Sequence, residues 1–381
     1  MLEFSADAPA TPSAPASREE LLAACRALSD NHIRVLAREV DQGLYPIETL
    51  RKLGAAGAFA QHLQGFGYSR EREILTTIEA MAVSGEHCGC TSFLMWLQNA
   101  FGWYLEMSEN TALRESLQPL IASGTAFGTS AMSNPVKAMD GIENFRLRGE
   151  RVDGGYVVTG VLPYVSNLGD GHYLGTAFEL VDKPEHRIMC VMKVDGEAVK
   201  ITQNVHFICL EGSGTYTVQV RKAFVPDAMV LADPIGPFVA RIKPTFFLLQ
   251  AGIALGQIQG CINIMNECDQ THLHVNKYLP MRQDYFAEKV DGMVKTVVEL
   301  LKTPFETSKD YLRQVYQARL AAGDVAMECA NSAMMHAGAK GYILGSDADR
   351  RLRETIFVAI VTPALRHLRK TLAEMDATDA A

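Results

Sequence analysis

The sequence lacks the short fingerprints that mark most cofactor and metal enzymes. No GxGxxG follows a strand-like run and no P-loop is present, which removes the usual signs of a Rossmann or nucleotide-phosphate site. HExxH, CxxC and GxSxG are absent as well, so zincin, thioredoxin-like and nucleophile-elbow chemistry have no footing. No dense run of Lys and Arg occurs, and 36 basic against 44 acidic residues leave a net charge of −8. Such a chain has no general electrostatic reason to seek nucleic acid or an anionic membrane. No stretch is expected to approach the roughly 20 consecutive apolar residues that span a bilayer.

What is present is globular composition: 381 residues, 48% apolar and 21% charged, enough to bury a large core. The 8 cysteines are scattered singly apart from Cys88 and Cys90. That pattern predicts a reduced, cytoplasmic protein with buried thiols. The opening MLEFSADAPATPSAPAS has neither a basic n-region nor an apolar h-region and is expected to be a mobile tail over residues 1–16.

The order of textures is helix, strand, helix. Residues 17–123 read as helical, with Leu21, Leu22, Cys25 and Leu28 at helical spacing. Pro46 opens a helix that Gly54 can close, Ser69 is placed to cap the next, and TSFLMWLQNAFGWYLEM reads as a buried helix. Residues 124–236 carry short β-branched runs with glycine turns and predict a β-barrel-like domain. RGERVDGGYVVTGV is a hairpin about Asp153-Gly154-Gly155. Residues 237–381 return to helix, with TFFLLQAGIALGQIQGCINIMNE as one long apolar member, and predict a C-terminal four-helix bundle. The fold class is α+β.

Four motifs then occur in order: DQGLYPIETLRKLGAAGAF with HLQGFGYS, GTSAMSNP, RGERVDGGYVVTGVLPYVSN with LEGSGTYTVQVRKAFVPDAMVL, and GAKGY. Together they resemble the acyl-CoA dehydrogenase family of flavoproteins over nearly the whole chain after the tail. The resemblance implies FAD (FMN in a monooxygenase relative), a homodimer or homotetramer, and an electron-transfer flavoprotein or flavin reductase as redox partner. It places Met132, Ser133, Tyr164 and Ser166 against the flavin, with Ser166 beside N5 and Tyr164 where the family has a stacking Trp. Arg282 is the nearest match to the arginine that contacts the FAD pyrophosphate across the dimer, and Gly338 and Ala339 of GAKGY match the family's cofactor-binding Gly-Gly-x-Gly-Tyr.

The departures from the family are chemical. Asn134 replaces a Glu, the following Gly-Ser-Asp that meets CoA is missing, and Phe286 replaces a Gly after Arg282. The family's base position falls on Thr362-Pro363, and its second base position, in RIKPTFFLLQ, has no carboxylate. Glu267 and Asp269 lie in the wrong part of their helix to substitute, and Glu354 matches a structural Asp. The catalytic residue is therefore unknown. His172 and His336 are candidate acid/base groups. Cys268, Asp269, His272 and His274 have metal-ligand residue types, but a polar helix end explains them, and no metal is expected.

Three functions follow from these expectations. The first is an FAD-dependent oxidoreductase acting on an acyl-CoA or related acyl thioester. The second is a flavin-dependent monooxygenase of the same fold, for which neither a base nor a CoA site is needed. The third is a non-catalytic subunit that completes the FAD site of a hetero-oligomer.

Overall fold

A computed structural model describes residues 15–203 and 205–379. All but the last two residues of the expected tail lie outside the described residues.

Six helices come first: α1 (Arg18–Leu28), α2 (Arg34–Asp41), α3 (Ile47–Ala55), α4 (Ile74–Gly85), α5 (Gly89–Met107) and α6 (Thr111–Ala122). The Ser17 side chain caps α1 by accepting from the Glu20 N–H, with Glu19 and Glu20 in the first turn and Arg26 in the last, as the helix dipole favours. Ser69 does not cap α4, contrary to expectation. The backbone turns through Arg70 at φ 60°, and the Glu73 N–H is tied to the Gln61 carbonyl at 2.7 Å. The helix therefore starts at Ile74, and Ser69 bonds the Glu73 carboxylate instead. Helix α5 has no polar face because α4, α6, α8 and α9 surround it, and all of its residues except Met107 are buried.

The central region holds β1 (Gly128–Ser130), the short helix α7 (Ser133–Met139), β2 (Leu147–Val152), β3 (Gly155–Val165), β4 (Tyr173–Leu180), β5 (Arg187–Lys193), β6 (Val199–Thr202), β7 (Tyr216–Pro226) and β8 (Val230–Ala232). One sheet forms in the order β6-β7-β3-β2-β4-β5-β8, with β1 parallel to β4. The expected hairpin is present: Val152 pairs Gly155 across Asp153-Gly154, and Gly154 takes φ 71°, where glycine is unstrained. Among the described residues no ladder joins β6 to β8, so the sheet is open rather than barrel-like. Strand β1 lies flat on α5; a Cβ on Gly128 would sit 2.1 Å from the Phe101 ring.

Helices α8 (Ile235–Leu249), α9 (Ala251–Asn276), α10 (Gln283–Leu300), α11 (Lys309–Ala337), α12 (Asp347–Ile360) and α13 (Leu365–Asp379) follow. The long apolar helix expected from Thr245 instead starts at Ile235 and breaks at Gln250. There the Gln250 N–H turns to the Phe247 carbonyl three residues back, and the amide side chain is committed elsewhere. The stretch Ile235–Asn276 is long and apolar enough to cross a membrane, contrary to the sequence expectation. However, 89% of its most apolar window is buried in the protein, as in a core helix. Helix α11 packs against α9, α10, α12 and α13.

A buried ion network ties α12 to α4 and α9. Glu354 is 2% exposed and accepts from Arg350, Arg351 and Gln257, while Arg351 also donates to the carbonyls of Gly85 and Glu86. Burial pushes the Glu354 carboxyl up, but Arg350, Arg351 and Gln257 outweigh it and hold it below its ordinary 4.5. The two arginines respond differently: burial lowers fully enclosed Arg351, whereas Arg350, which also meets Asp347, is held up. A depressed carboxyl stabilises the fold above its unfolded pKa, and that stabilisation is lost as pH falls through the folded value. Glu354→Gln is expected to cost about 3–5 kcal/mol at neutral pH by leaving two buried cations short of a partner. Denaturant titration across the acid range should also show a flatter decline in the variant than in the parent.

Candidate active site

The site grows from the end of β3. The ladder with β7 slips between Leu162 and Val165, and Tyr164 adopts φ 58°. This turns its ring out of the sheet, 59% exposed and edge-on to Phe207 at 6.0 Å. The next turn is pinned by Asn167, a residue type that tolerates its φ of 61°. Its amide donates to the Gly128 carbonyl at 2.9 Å and accepts from the Tyr45 hydroxyl at 2.7 Å. Ser166 is thereby fixed facing the loop before β7, where Ser166, Thr215 and Ser213 form a hydroxyl chain with spacings of 2.6 and 2.7 Å.

The opposite wall comes from the start of α7 and the link between α12 and α13. Ser133 and Thr362 share a hydroxyl–hydroxyl bond of 2.8 Å. Asn134 faces away: its amide donates to Glu143 and to the Asn144 carbonyl and accepts from the Arg146 N–H, tying α7 to the approach of β2. Between the walls lies a cavity of about 310 Å³. Phe93, Trp96 and Leu97 of α5, Phe246 of α8, and Phe357, Ile360 and Val361 supply its apolar lining, while Ser130, Ser133, Ser166, Ser213, Thr215 and Thr362 supply hydroxyls. Among the described lining residues there is no Asp, Glu, His, Lys or Arg. The lining thiol, Cys209, is pushed up to about 12, chiefly by burial, and is not a base near neutrality. A larger cavity of about 510 Å³, between α10, α11 and the α8–α9 junction, holds none of the motif residues.

A second cluster forms at the far end of α9. Asp269 accepts from Asn276, Arg282 and Gln283, and Asn276 also donates to the carbonyl of His336, two residues before Gly338. Gly338 takes φ 57° at the end of α11, with open space where a Cβ would stand, and Ala339 follows. Arg282 Nε and His336 Nε2 are buried without hydrogen-bond partners. Helix α9, about 39 Å long at 1.5 Å per residue, runs from the side of the cavity near Thr362 to the second cluster.

No protein-family model matches the chain. Curated relatives do. Benzylmalonyl-CoA dehydrogenase of Aromatoleum aromaticum is 21% identical over 347 residues, covering 87% of this chain and 90% of that protein. The human mitochondrial short-chain specific acyl-CoA dehydrogenase is 22% identical over 361 residues, covering 89% and 85%. Butyryl-CoA dehydrogenase from Megasphaera elsdenii superposes with a TM-score of 0.83 at 15% identity, over 94% of this chain and 97% of that one. The chain has the acyl-CoA dehydrogenase fold. Relatives and fold neighbours agree on that family, and the chain is an acyl-CoA dehydrogenase-like flavoprotein oxidoreductase.

The fold also hosts other chemistry. KijD3, solved with FMN and a dTDP-linked amino sugar, matches with a TM-score of 0.80 and 17% identity over 98% and 97% of the two chains. Dibenzothiophene monooxygenase from Paenibacillus sp. A11-2 matches with a TM-score of 0.78 and 14% identity over 93% and 96%.

Within this acyl-CoA dehydrogenase-like chain, Ser133, Tyr164 and Ser166 meet at one cavity. Met132 adjoins them but is 2% exposed, turned toward Tyr104 and Phe246 in the core. Arg282, Gly338 and Ala339 belong to the second cluster. Of the candidate acid/base groups, His172 is buried between Tyr45 and Phe127 with Nδ1 against the Asn167 carbonyl, and His336 sits at the far cluster; neither lines the cavity. Among the described residues no group of three His, Cys, Asp or Glu is placed to hold a metal. Sequence reading missed Ser213, Thr215 and Gln250; a serine or threonine near a glycine turn carries no signal until the fold brings it to Ser166.

Cys88 and Cys90 are buried, and only Cys268 of the eight thiols is partly open. Titration with a disulfide reagent should find one fast thiol per native chain, lost in Cys268→Ser, and eight after denaturation. A second fast thiol would mean that Cys209 is open to solvent.

Proposed function

We propose that this flavin-dependent oxidoreductase is a monooxygenase acting on a small, largely apolar substrate. The observation that carries the reading is a cavity without a proton-accepting side chain. Removing an α-proton from an acyl thioester requires a carboxylate or an equivalent base within hydrogen-bond reach. The resemblance sets Thr362-Pro363 at about the family's base position, and the Thr362 hydroxyl is engaged with Ser133. Oxygen insertion has no such requirement. One atom of dioxygen enters the substrate and the other leaves as water, with the electron pair supplied by reduced flavin from a separate reductase.

The donor set fits a flavin. An exposed aromatic ring at Tyr164 flanks the cavity, and the hydroxyls of Ser133 and Ser166 stand on facing walls as donors for a polar ring edge. FMN or FAD is the proposed cofactor, and it supplies electrons when bound. For FAD, the orphaned Arg282 Nε and His336 Nε2 suit an anionic group. The length of α9 between the clusters supports the reading that this group belongs to a neighbouring subunit's cofactor, in a dimer or tetramer. The buried apolar walls bind the substrate, and the remaining hydroxyls, at Ser130, Ser213 and Thr215, orient it. Dehydrogenation of an acyl thioester is the second reading, favoured by the names of the curated relatives.

Two assays on flavin-reconstituted protein separate these readings. Anaerobic addition of an acyl-CoA panel is expected to leave the flavin absorbance unchanged. Supply of reduced flavin and isotope-labelled dioxygen is expected to put one labelled oxygen into a small aromatic or amine substrate. Bleaching by an acyl-CoA would overturn the monooxygenase reading, and failure to bind flavin without another chain would favour a subunit that only completes a partner's site.

A further inference from the structure

Arg319 of α11 is 4% exposed. Its Nε donates to Gln250 Oε1 at 2.5 Å and its Nη2 to the Val358 carbonyl at 2.5 Å, while Nη1 is buried with no hydrogen-bond partner. The other fully buried arginines, Arg350 and Arg351, share the Glu354 carboxylate. Arg319 has no carboxylate partner among the described residues. The charged and titratable groups on elements packed about it are engaged elsewhere or stand apart. Arg319 lines the larger cavity together with Glu288 and Lys289 of α10, neither of which bonds it; Asp140 pairs with His367 where α7 meets α13, with Lys243 of α8 nearby, and Glu354 of α12 belongs to Arg350 and Arg351. Burial lowers the Arg319 pKa to about 10, so the guanidinium stays charged near neutrality. An unpaired buried cation is costly, and the fold keeps one here.

The charge is linked to the candidate active site. Gln250 sits at the break between α8 and α9, and its Nε2 donates to the Thr362 carbonyl at 2.8 Å. The Thr362 hydroxyl meets Ser133 at 2.8 Å on the cavity wall. A hydrogen-bonded path therefore runs from Arg319 through Gln250 and Thr362 to Ser133. The cation polarises Gln250 directly, and beyond it the link is positional: the Thr362 carbonyl meets Gln250 and the hydroxyl of the same residue meets Ser133.

We propose that Arg319 is a positioning residue that holds the Thr362 turn through Gln250, and that its uncompensated charge makes the cavity favour the anionic form of an acidic ligand such as a phenol. The proposal rests on the cavity being the substrate site. It extends that reading to substrate class: molecules with a weakly acidic hydroxyl, bound ionised, in a pocket with no base of its own.

The experiment uses 4-nitrophenol with the purified full chain. Equilibrium dialysis measures binding, with Phe357→Trp to block the cavity as a control, and absorbance across pH measures ionisation of the bound ligand. In the parent the bound phenol should ionise at lower pH than the free one. Arg319→Met should raise that value by about one pKa unit, a tenfold loss of preference for the anion. Arg319→Lys should retain most of the preference. Gln250→Glu is the decisive variant, because a carboxylate against the guanidinium cancels the charge without emptying the space. It should lose the preference as Arg319→Met does; because a carboxylate cannot donate to the Thr362 carbonyl it also gives up that bond, so bound ionisation rather than thermal stability is its readout. A purely structural Arg319 would lower stability in the Met variant and leave bound ionisation unchanged in all three; that result overturns the proposal but not the site. If 4-nitrophenol does not bind, or binds undiminished in Phe357→Trp, the reading of the cavity falls and the proposal with it.

Discussion

The fold around the active site depends on one buried carboxylate. Glu354 gathers two arginines and a glutamine in a space from which water is excluded, and through Arg351 it clamps α12 to the end of α4. Replacing such a network wholesale by apolar residues can be neutral, but breaking it leaves charge without compensation. Helix α12 is thus held at one orientation against α5 and α9. The residues that follow from it, Phe357, Ile360, Val361 and Thr362, form a wall of the cavity, so the network sets where that wall stands.

Charge is concentrated behind the cavity and absent from its surface. The lining offers aromatic and aliphatic faces with paired hydroxyls, which orient a ligand without transferring a proton near neutrality. The inner wall, at Phe93, Trp96, Leu97 and Phe246, is buried, so a charge behind it acts more strongly than one in solvent. Where the resemblance implies a flavin on one side and a carboxylate on the other, the cavity has two hydroxyl sets, Ser133 with Thr362 and Ser166 with Thr215.

Much of this was legible in the sequence because it is local. The helix–strand–helix order, the Asp153-Gly154 turn and the ordered motifs follow from short-range patterns, and the motifs named the fold. That the resemblance sets Thr362-Pro363 at about the family's base position could also be read from the chain alone. What was not legible depends on contacts between distant segments. Ser69 loses its cap to a turn set by Gln61 and Arg70, and the helix through residue 250 breaks where Gln250 reaches both Arg319 and Thr362. The Ser213–Thr215–Ser166 chain joins two loops 49 residues apart. A bulged register, not composition, turns Tyr164 outward. The sheet was expected to close, but the pairing ends at β6 and β8.

The placement of tryptophan has an optical consequence. The chain has 2 tryptophans, and both lie on α5. Trp96 lines the cavity with its indole N–H toward the Phe246 carbonyl at 3.4 Å, while Trp103 is fully enclosed two turns away, stacked on Phe305. The intrinsic emission of the whole protein therefore arises from one helix, with one fluorophore at the ligand and the other shielded as an internal standard. Any occupant of the cavity will be visible in that emission without a label, and a bound flavin will be visible in it by energy transfer.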